Sequence, residues 1–468
     1  MPHLAEIIRY ATGRGKMGKY VTDFTTGRVA PLLVKFATPL FLTSLLQVFY
    51  NMVDMIIVGQ VMGEVGLSAV AVGGDVTNML AFIAMGFAAA GQVIISQLIG
   101  AGKREQVSGF IGTMCTFLVG SALIFTVVGI VFRNELLWIM NTPRESFDEA
   151  LGYSTICAIG MVFIYGYNAA SAVLRGMGDA KRPLIFIGIS SIINVILDVV
   201  LVIGCDMGAA GAAFATVISQ AVSLILCIAY IYVKRKKYDL DFHGRDFLPE
   251  RAHVRRLVTL GVPMAIKFAA VQTSRLFVNS FINSYGLVIS AFSGVANKIN
   301  SISNLISNAL NTAGSTIVAQ NIGARKYKRV PTIVYTVGGI TCSIALALTL
   351  TTLIFPDFVF GLFTSKRAVI EVGYTYLPVA VIIFFGSALR AMANALINGS
   401  GNTSINFVTA ILDGLVLRIG LSLLFGLALN MGALGFWLGD ALAGLTPFVI
   451  GVIYFISGKW KRGKTLAD

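Results

Sequence analysis

The chain has 468 residues, of which 56% are hydrophobic and only 12% charged, with a mean hydropathy of +0.81. A water-soluble domain carries roughly 25% charged residues, so this composition excludes a soluble globular protein. The net charge of +14 does not point to nucleic acid, because the basic residues fall in short polar segments between apolar runs, as in membrane proteins. The five cysteines (Cys115, Cys157, Cys205, Cys227 and Cys342) are scattered without paired spacing, which argues against both a disulfide framework and a thiolate metal site.

The first 35 residues are polar and basic and lack the apolar core of a cleavable signal. The GxGxxG pattern at Gly13–Gly18 follows no strand and contains Arg14 and Lys16, so it reads as a basic tail rather than a dinucleotide fingerprint. Apolar runs long enough to cross a bilayer, about 20 residues each, then follow at 36–60, 67–98, 108–132, 152–174, 183–204, 209–233, 258–284, 287–320, 331–355, 373–397, 405–429 and 432–457. The second and eighth are long and are expected to tilt or to extend past the bilayer. Twenty-seven Lys and Arg residues lie on the side that carries both ends of the chain. Four (Arg133, Arg144, Lys366 and Arg367) lie on the other side, and five within spans. The positive-inside rule then predicts cytoplasmic termini, as an even number of spans requires of ends that share a side.

The two halves repeat each other. Gln97-Leu-Ile-Gly-Ala-Gly-Lys103 returns as Gln320-Asn-Ile-Gly-Ala-Arg-Lys326, and Leu174-Arg-Gly-Met-Gly-Asp179 as Ile397-Asn-Gly-Ser-Gly-Asn402, both 223 residues later. Asp206-Met-Gly-Ala-Ala-Gly211 returns as Asn430-Met-Gly-Ala-Leu-Gly435, and Pro39 as Pro263, both 224 residues later. Six spans per repeat insert both halves the same way up, which predicts an all-α membrane protein of twelve helices in two six-helix lobes related by a pseudo-twofold axis. The expected divisions are a basic N-terminal segment (1–35), an N-lobe (36–234), a cytoplasmic linker (235–257), a C-lobe (258–457) and a short tail (458–468).

Ionisable groups at bilayer depth cost several kcal/mol unless partnered, so each is a functional candidate. In the first half these are Asp54 in span one and Asp198 in span five. Gln47, Tyr50 and Asp54 share one helical face, as do Asn194 and Asp198. No Lys or Arg within the spans of that half offers a counter-charge. Two carboxylates in a low-dielectric cavity cannot both stay ionised alone; a proton or a Na⁺ held by carboxylate, amide and hydroxyl oxygens would neutralise them. A simpler reading is a protonated aspartate that staples two spans together.

The second half has the opposite balance, with Lys267, Arg275, Lys298, Arg390 and Arg418 against Asp413 and Asp440. Asp413 and Arg418 are five residues apart, about 140° round an α-helix, so the spacing does not predict a pair between them. Some of these cations are expected to snorkel to the interface or to pair across spans. Alternatively, Lys267 or Arg275 lines a cavity and meets an acidic substrate group. The three histidines (His3, His243, His253) all fall in cytoplasmic segments, so no intramembrane histidine relay is expected. Pro39 lacks an amide donor and can bend span one.

From about 36 to 457 the chain resembles the multidrug and toxic compound extrusion (MATE) family. The resemblance is carried by Pro39, Asn51-Met-Val-Asp54 with Val58-Gly59, Gln97-Leu-Ile-Gly-Ala101 and its repeat, Arg175-Gly-Met-Gly-Asp179, Asn194-Val-Ile-Leu-Asp198 and Gly208-Ala-Ala-Gly-Ala-Ala-Phe-Ala-Thr216. It implies an antiporter that expels amphipathic compounds in exchange for H⁺ or Na⁺, and within the family the chain is similar to the DinF-like branch. Carried over residue by residue, the resemblance implies Asp54, Asn194, Asp198 and Thr216 as the coupling-cation site, Gln47, Tyr50 and Asn168 as cavity residues and Pro39 as the bending point. Spans seven and ten contain no carboxylate, which departs from the NorM-like branch and leaves the charge of the substrate open. The expected partners are small amphipathic molecules and the lipid bilayer, not nucleic acid, with no cofactor beyond the coupling ion. The expected setting is a monomer in a bacterial inner membrane. A flippase or exporter of an anionic or lipid-linked substrate, of the related MOP superfamily, is the alternative. No HExxH, nucleophile elbow or P-loop supports an enzyme, and the basic loop expected of a major facilitator is absent between spans two and three.

Overall fold

A computed structural model describes residues 21–461 and Leu466. The Gly13–Gly18 pattern and the outermost basic residues lie outside the described residues. Among those described the regular structure is entirely helical. The first helix, α1 (Val29–Gly100), has 72 residues. An unbroken helix of that length would measure about 108 Å, far more than the ~30 Å hydrocarbon core. The break falls at Gly63, whose φ of 63° and ψ of −145° suit a residue without a side chain. Spans one and two are therefore the two arms of α1.

Helices α2 (Glu105–Val131) and α3 (Arg133–Ile139) follow. Next, α4 (Phe147–Ile159) and α5 (Met161–Gly176) meet at Gly160 with a bend of 50° and form one span. Helix α6 (Lys181–Asp198) runs into a π-helical turn at Val199–Gly204, and α7 (Gly208–Lys234) closes the first repeat. In the second repeat, α8 (Arg251–Asn283), α9 (Leu287–Gly323), α10 (Val330–Ile354) and the short α11 (Pro356–Gly361) lead to α12 (Arg367–Ser400). Then α13 (Thr403–Ile411), a π turn (Leu412–Val416), α14 (Leu417–Leu423) and a second π turn (Leu424–Ala428) make one interrupted span. Helices α15 (Gly432–Ala443) and α16 (Thr446–Ser457) form the last.

By length and apolar composition, eight of the described helices can cross a membrane, or nine with the bent pair. That count takes α1 once although it makes two spans, and it omits α8 and α9. Both are long enough, but the charges of α8 and the Asn and Ser residues of α9 lower their apolarity. With these included, the helices coincide with the twelve expected spans.

The chain divides into two compact units whose boundaries differ from the sequence halves. One comprises Leu42–Ala265 with Val21–Asp23; the other comprises Phe24–Phe41 and the chain from Ile266 to Lys461. The boundaries fall just after the repeat-related Pro39 and Pro263. The opening turns of spans one and seven thus each pack with the other repeat's helices. In the first unit, the Thr22 hydroxyl donates to the Gly178 carbonyl at 2.9 Å. In the second, the Phe24 amide donates to Gln320 Oε1 at 2.5 Å and Asn321 Nδ2 donates to the Phe24 carbonyl at 3.1 Å. The Gln320 motif of the repeat therefore anchors the segment that leads into span one.

The π turn at Leu412–Val416 accounts for the shift of the repeat from 223 to 224 residues. A π turn is a one-residue insertion accommodated within a helix, and this one lies between Asn402, still at offset 223, and Asn430, at offset 224. The equivalent stretch of α6 is regular helix.

Close backbone approach in the second unit depends on glycine. A Cβ at Gly439 of α15 would lie 2.4 Å from the Cα and N of Ser422 in α14, whereas one at Gly339 of α10 would meet nothing within 4 Å. Gly439→Val is expected to cost about 1–3 kcal/mol, the range for overpacking a filled interior, whereas Gly339→Val should stay within about 0.5 kcal/mol of the parent. Thermal unfolding of the purified protein in detergent checks this. Equal melting temperatures for the two variants would contradict the contact.

Candidate coupling site and its cationic counterpart

In the first unit the sequence pattern brings three elements together. Helix α6 carries Ser190, Ser191, Asn194 and Asp198, and α7 carries Thr216, Ser219, Gln220 and Ser223 at helical spacing. The two polar stripes meet, with Ser223 Oγ donating to Ser190 Oγ at 2.6 Å. The third element, the first arm of α1, supplies Asp54. Asp54, Asn194 and Asp198 are 4%, 1% and 0% exposed. The Thr216 hydroxyl lies 3.5 Å from Asp54 Oδ2, to which it donates, and the carboxyl groups of Asp54 and Asp198 lie within electrostatic range of each other.

Asp54 Oδ1, both Asp198 oxygens, and both Asn194 side-chain atoms are buried without a hydrogen-bond partner among the described residues. A narrow pocket beside them, with room for a water-sized occupant, is lined by Tyr50, Ser190, Asn194, Thr216, Ser219 and Gln220, among others. Carboxylate, amide and hydroxyl oxygens are the donors that a hard monovalent cation takes. A proton shared between the two carboxyl groups would meet the same need.

The sequence-derived set is thus only partly assembled. Asp54, Asn194, Asp198, Thr216 and Tyr50 are brought together. Gln47 is half-buried one turn before Tyr50 and lies outside the pocket lining. Asn168 spends its Nδ2 on the Ile164 carbonyl of its own helix at 2.8 Å. Pro39 lies within α1 at the unit boundary. Tyr153 and Cys157 of α4, which the sequence reading did not single out, lie within electrostatic range of Asp54. Ser219 and Gln220 were also missed, although their spacing from Thr216 along α7 places them on its face. Arg175, just past the expected span 152–174, belongs to the last turn of α5, where its Nε donates to Gln92 Oε1 at 2.9 Å.

The second unit holds a different arrangement. Arg418 is 1% exposed and donates to Asp413 Oδ1 at 2.8 Å, to the Asp413 carbonyl at 3.3 Å and to Asp440 Oδ1. The expectation against an Asp413–Arg418 pair is therefore wrong. It assumed α-helical rotation, whereas the π turn at Leu412–Val416 brings residues five apart onto one face. Lys267 donates to Asn394 Oδ1 at 2.6 Å and Arg390 to Asn304 Oδ1 at 2.7 Å. Arg275 has a buried Nε without a hydrogen-bond partner. Of the five in-span cations, Lys298 is the one that is exposed.

Removing one member of a buried ion pair leaves an uncompensated charge, at a cost of about 3–5 kcal/mol. Arg418→Gln is accordingly expected to destabilise the protein by that amount, read as a lowered melting temperature and folded yield. Arg418→Gln combined with Asp413→Asn and Asp440→Asn should recover part of the loss, because the two carboxylates are no longer left without Arg418, while Lys267, Arg275 and Arg390 lose their nearest counter-charges. A single variant as stable as the parent would show that the triad is not a structural brace.

The MatE family model matches residues 39–200 and 263–424, two copies that start at Pro39 and Pro263 and so coincide with the repeat. The chain is 28% identical over 448 residues to a probable multidrug resistance protein, YpnP, of Bacillus subtilis, covering 95% of this chain and 99% of that protein. Its fold matches a MOP superfamily transporter from Pyrococcus furiosus, whose binding pocket is described as having reverse polarity. The TM-score is 0.88 at 22% identity, covering 96% of this chain and 100% of that one. It also matches MATE in the bent conformation, with a TM-score of 0.83 at 23% identity, covering 93% and 99%. At these identities the structures speak for the fold alone: twelve transmembrane helices in two lobes. With the family model covering most of the chain in two copies, the protein belongs to the MatE family of multi-pass membrane transporters and is not an enzyme.

Proposed function

We propose that the protein is a secondary active efflux transporter that exports amphipathic drugs or metabolites in exchange for H⁺ or Na⁺. Coupling occurs through Asp54 and Asp198 of the first unit, as in the DinF-like branch. One observation carries this reading: two buried carboxyl groups lie together with unpartnered oxygens and no cationic side chain bonded to either. Binding one H⁺ or Na⁺ changes the charge of that site, so its occupied and empty states favour different surroundings. A ligand shifts a conformational equilibrium only through such a difference. Asn194 and Thr216 supply neutral oxygen donors to the same site.

In this reading Pro39, where the opening turns of α1 pass from one unit to the other, is the bending point that lets Asp54 respond to occupancy. The relative in a bent conformation supports it. The excess of basic residues on one side supports cytoplasmic termini, and the proposed setting is a bacterial inner membrane. It acts as a monomer and needs no cofactor beyond the coupling ion. The name of YpnP supports drugs as substrates. An acidic substrate is favoured by the excess of cations within the second unit.

The test is transport of a dye in proteoliposomes under a pH gradient or a Na⁺ gradient imposed separately. Asp54→Asn and Asp198→Asn are each expected to reduce gradient-driven transport at least tenfold. Thr216→Val should raise the cation concentration needed about fivefold, which corresponds to about 1 kcal/mol for one neutral hydrogen-bonding group. Full gradient-driven transport in both aspartate variants would overturn the coupling assignment.

A further inference from the structure

The charges inside the second unit do not balance. Lys267, Arg275, Arg390 and Arg418 face two carboxylates, Asp413 and Asp440. Each of the first three lies within electrostatic range of one or both of those carboxylates and of at least one other cation of the group. Arg418 takes up both carboxylates and is sealed from solvent. The other three differ from it. They are only partly buried, and the hydrogen bonds of Lys267 and Arg390 go to neutral amide oxygens. An ammonium has three N–H donors and a guanidinium five, so most of their donors are uncommitted, as is the buried Nε of Arg275.

Beside the cations lies a sealed aromatic cluster, in which Phe292 is 0% and Tyr376 2% exposed. Tyr376, in range of Arg275, packs edge-on against Trp437 and Phe292, with ring centroids 5.3 Å away in both cases. Trp437 is 7% exposed, and its indole N–H has no acceptor among the described residues. A buried donor of this kind carries a desolvation cost until an acceptor arrives. Three partly open cations with uncommitted donors are complementary to an anion that carries more than one charge.

We propose that the second unit binds an organic anion with a doubly charged group, a phosphomonoester or a dicarboxylate, through Lys267, Arg275 and Arg390. This deepens the transporter reading by naming a substrate class, and it rests on that reading only for the step of export. The anion neutralises the two positive charges that Asp413 and Asp440 leave unbalanced. The phosphate can belong to a free amphipathic compound or to a lipid headgroup, and both present the same dianion to the three cations.

The experiment uses the full-length protein in phosphatidylcholine nanodiscs, with phenyl phosphate as probe, benzyltrimethylammonium as its cationic counterpart and thermal unfolding as readout. Phenyl phosphate is expected to raise the melting temperature saturably, and the ammonium compound to leave it unchanged. A ligand that binds only the folded state must produce such a shift. Lys267→Gln, Arg275→Gln and Arg390→Gln should each weaken the apparent affinity at least tenfold. Without ligand, their melting temperatures should equal or exceed the parent's, because each removes an uncompensated charge. Nanodiscs containing phosphatidic acid separate the two sources. Phosphatidic acid that abolishes the response to phenyl phosphate in the parent identifies a lipid headgroup as occupant, whereas an unchanged response identifies a free anion. The site is overturned if phenyl phosphate and phosphatidic acid both leave the parent unaffected. It is equally overturned if the shift survives in all three variants, or if all three unfold earlier without ligand, as structural cations would. A wild-type protein that still moves dye under an ion gradient but binds neither anion loses this site alone and keeps the coupling mechanism.

Discussion

Burying charge away from water is the constraint on which the rest of this structure depends, and the two units meet it in different ways. Around Asp54 and Asp198 no cationic side chain is bonded among the described residues, which in the proposed coupling leaves the pair to a mobile ion or proton. Around Asp413 and Asp440 the cation is part of the chain, because Arg418 donates to both. The repeat aligns these arrangements. At the offset of 224 that holds beyond the Leu412–Val416 π turn, Arg418 corresponds to Asn194 and Asp440 to Thr216. A guanidinium thus occupies the place in the second unit where the first has an amide.

The divergence depends on backbone as well as side chains. In a regular α-helix, residues five apart point about 140° away from each other, and Asp413 could not reach Arg418. The inserted residue that creates the π turn removes this obstacle and appears in the sequence only as a change of one in the repeat offset. A second π turn, Leu424–Ala428, has a counterpart in Val199–Gly204 of the first unit, so that feature predates the divergence. The turn at Leu412–Val416 has none, and it is the one that carries an ion pair.

Much of this was legible in the sequence, for identifiable reasons. Twelve spans follow from apolar length, and the repeat follows from motifs that recur in register. Asp54 and Asp198 stand out because a carboxylate in an apolar run is costly wherever it faces. The Arg418 triad was not legible, because hydrophobic periodicity assumes one helical pitch and contains no signal for a π turn. Ser219 and Gln220 were passed over because hydroxyls and amides are common in membrane helices, and only contact with Asn194 and Tyr50 across the pocket distinguishes them. The passage of the opening turns of α1 into the second unit was equally hidden. Nothing in residues 24–41 announces that Gln320 and Asn321, almost 300 positions later, will take up the Phe24 backbone.

The inequality of the two units has an energetic consequence for transport. If the first unit exchanges one monovalent cation and the second carries a dianion, a cycle that brings the cation in and sends the dianion out moves three elementary charges. All three move in the direction favoured by an inside-negative membrane. At about 2.3 kcal/mol per charge per 100 mV, the potential alone contributes about 7 kcal/mol per cycle, before any cation gradient is counted. A cationic substrate in the same cycle would leave no net charge transfer, and the potential would contribute nothing. In such a cycle the positive interior of the second unit matches the form of export that the membrane potential drives. Arg418 with Asp413 and Asp440 carries one net negative charge, which offsets one of the three remaining cations and leaves two positive charges.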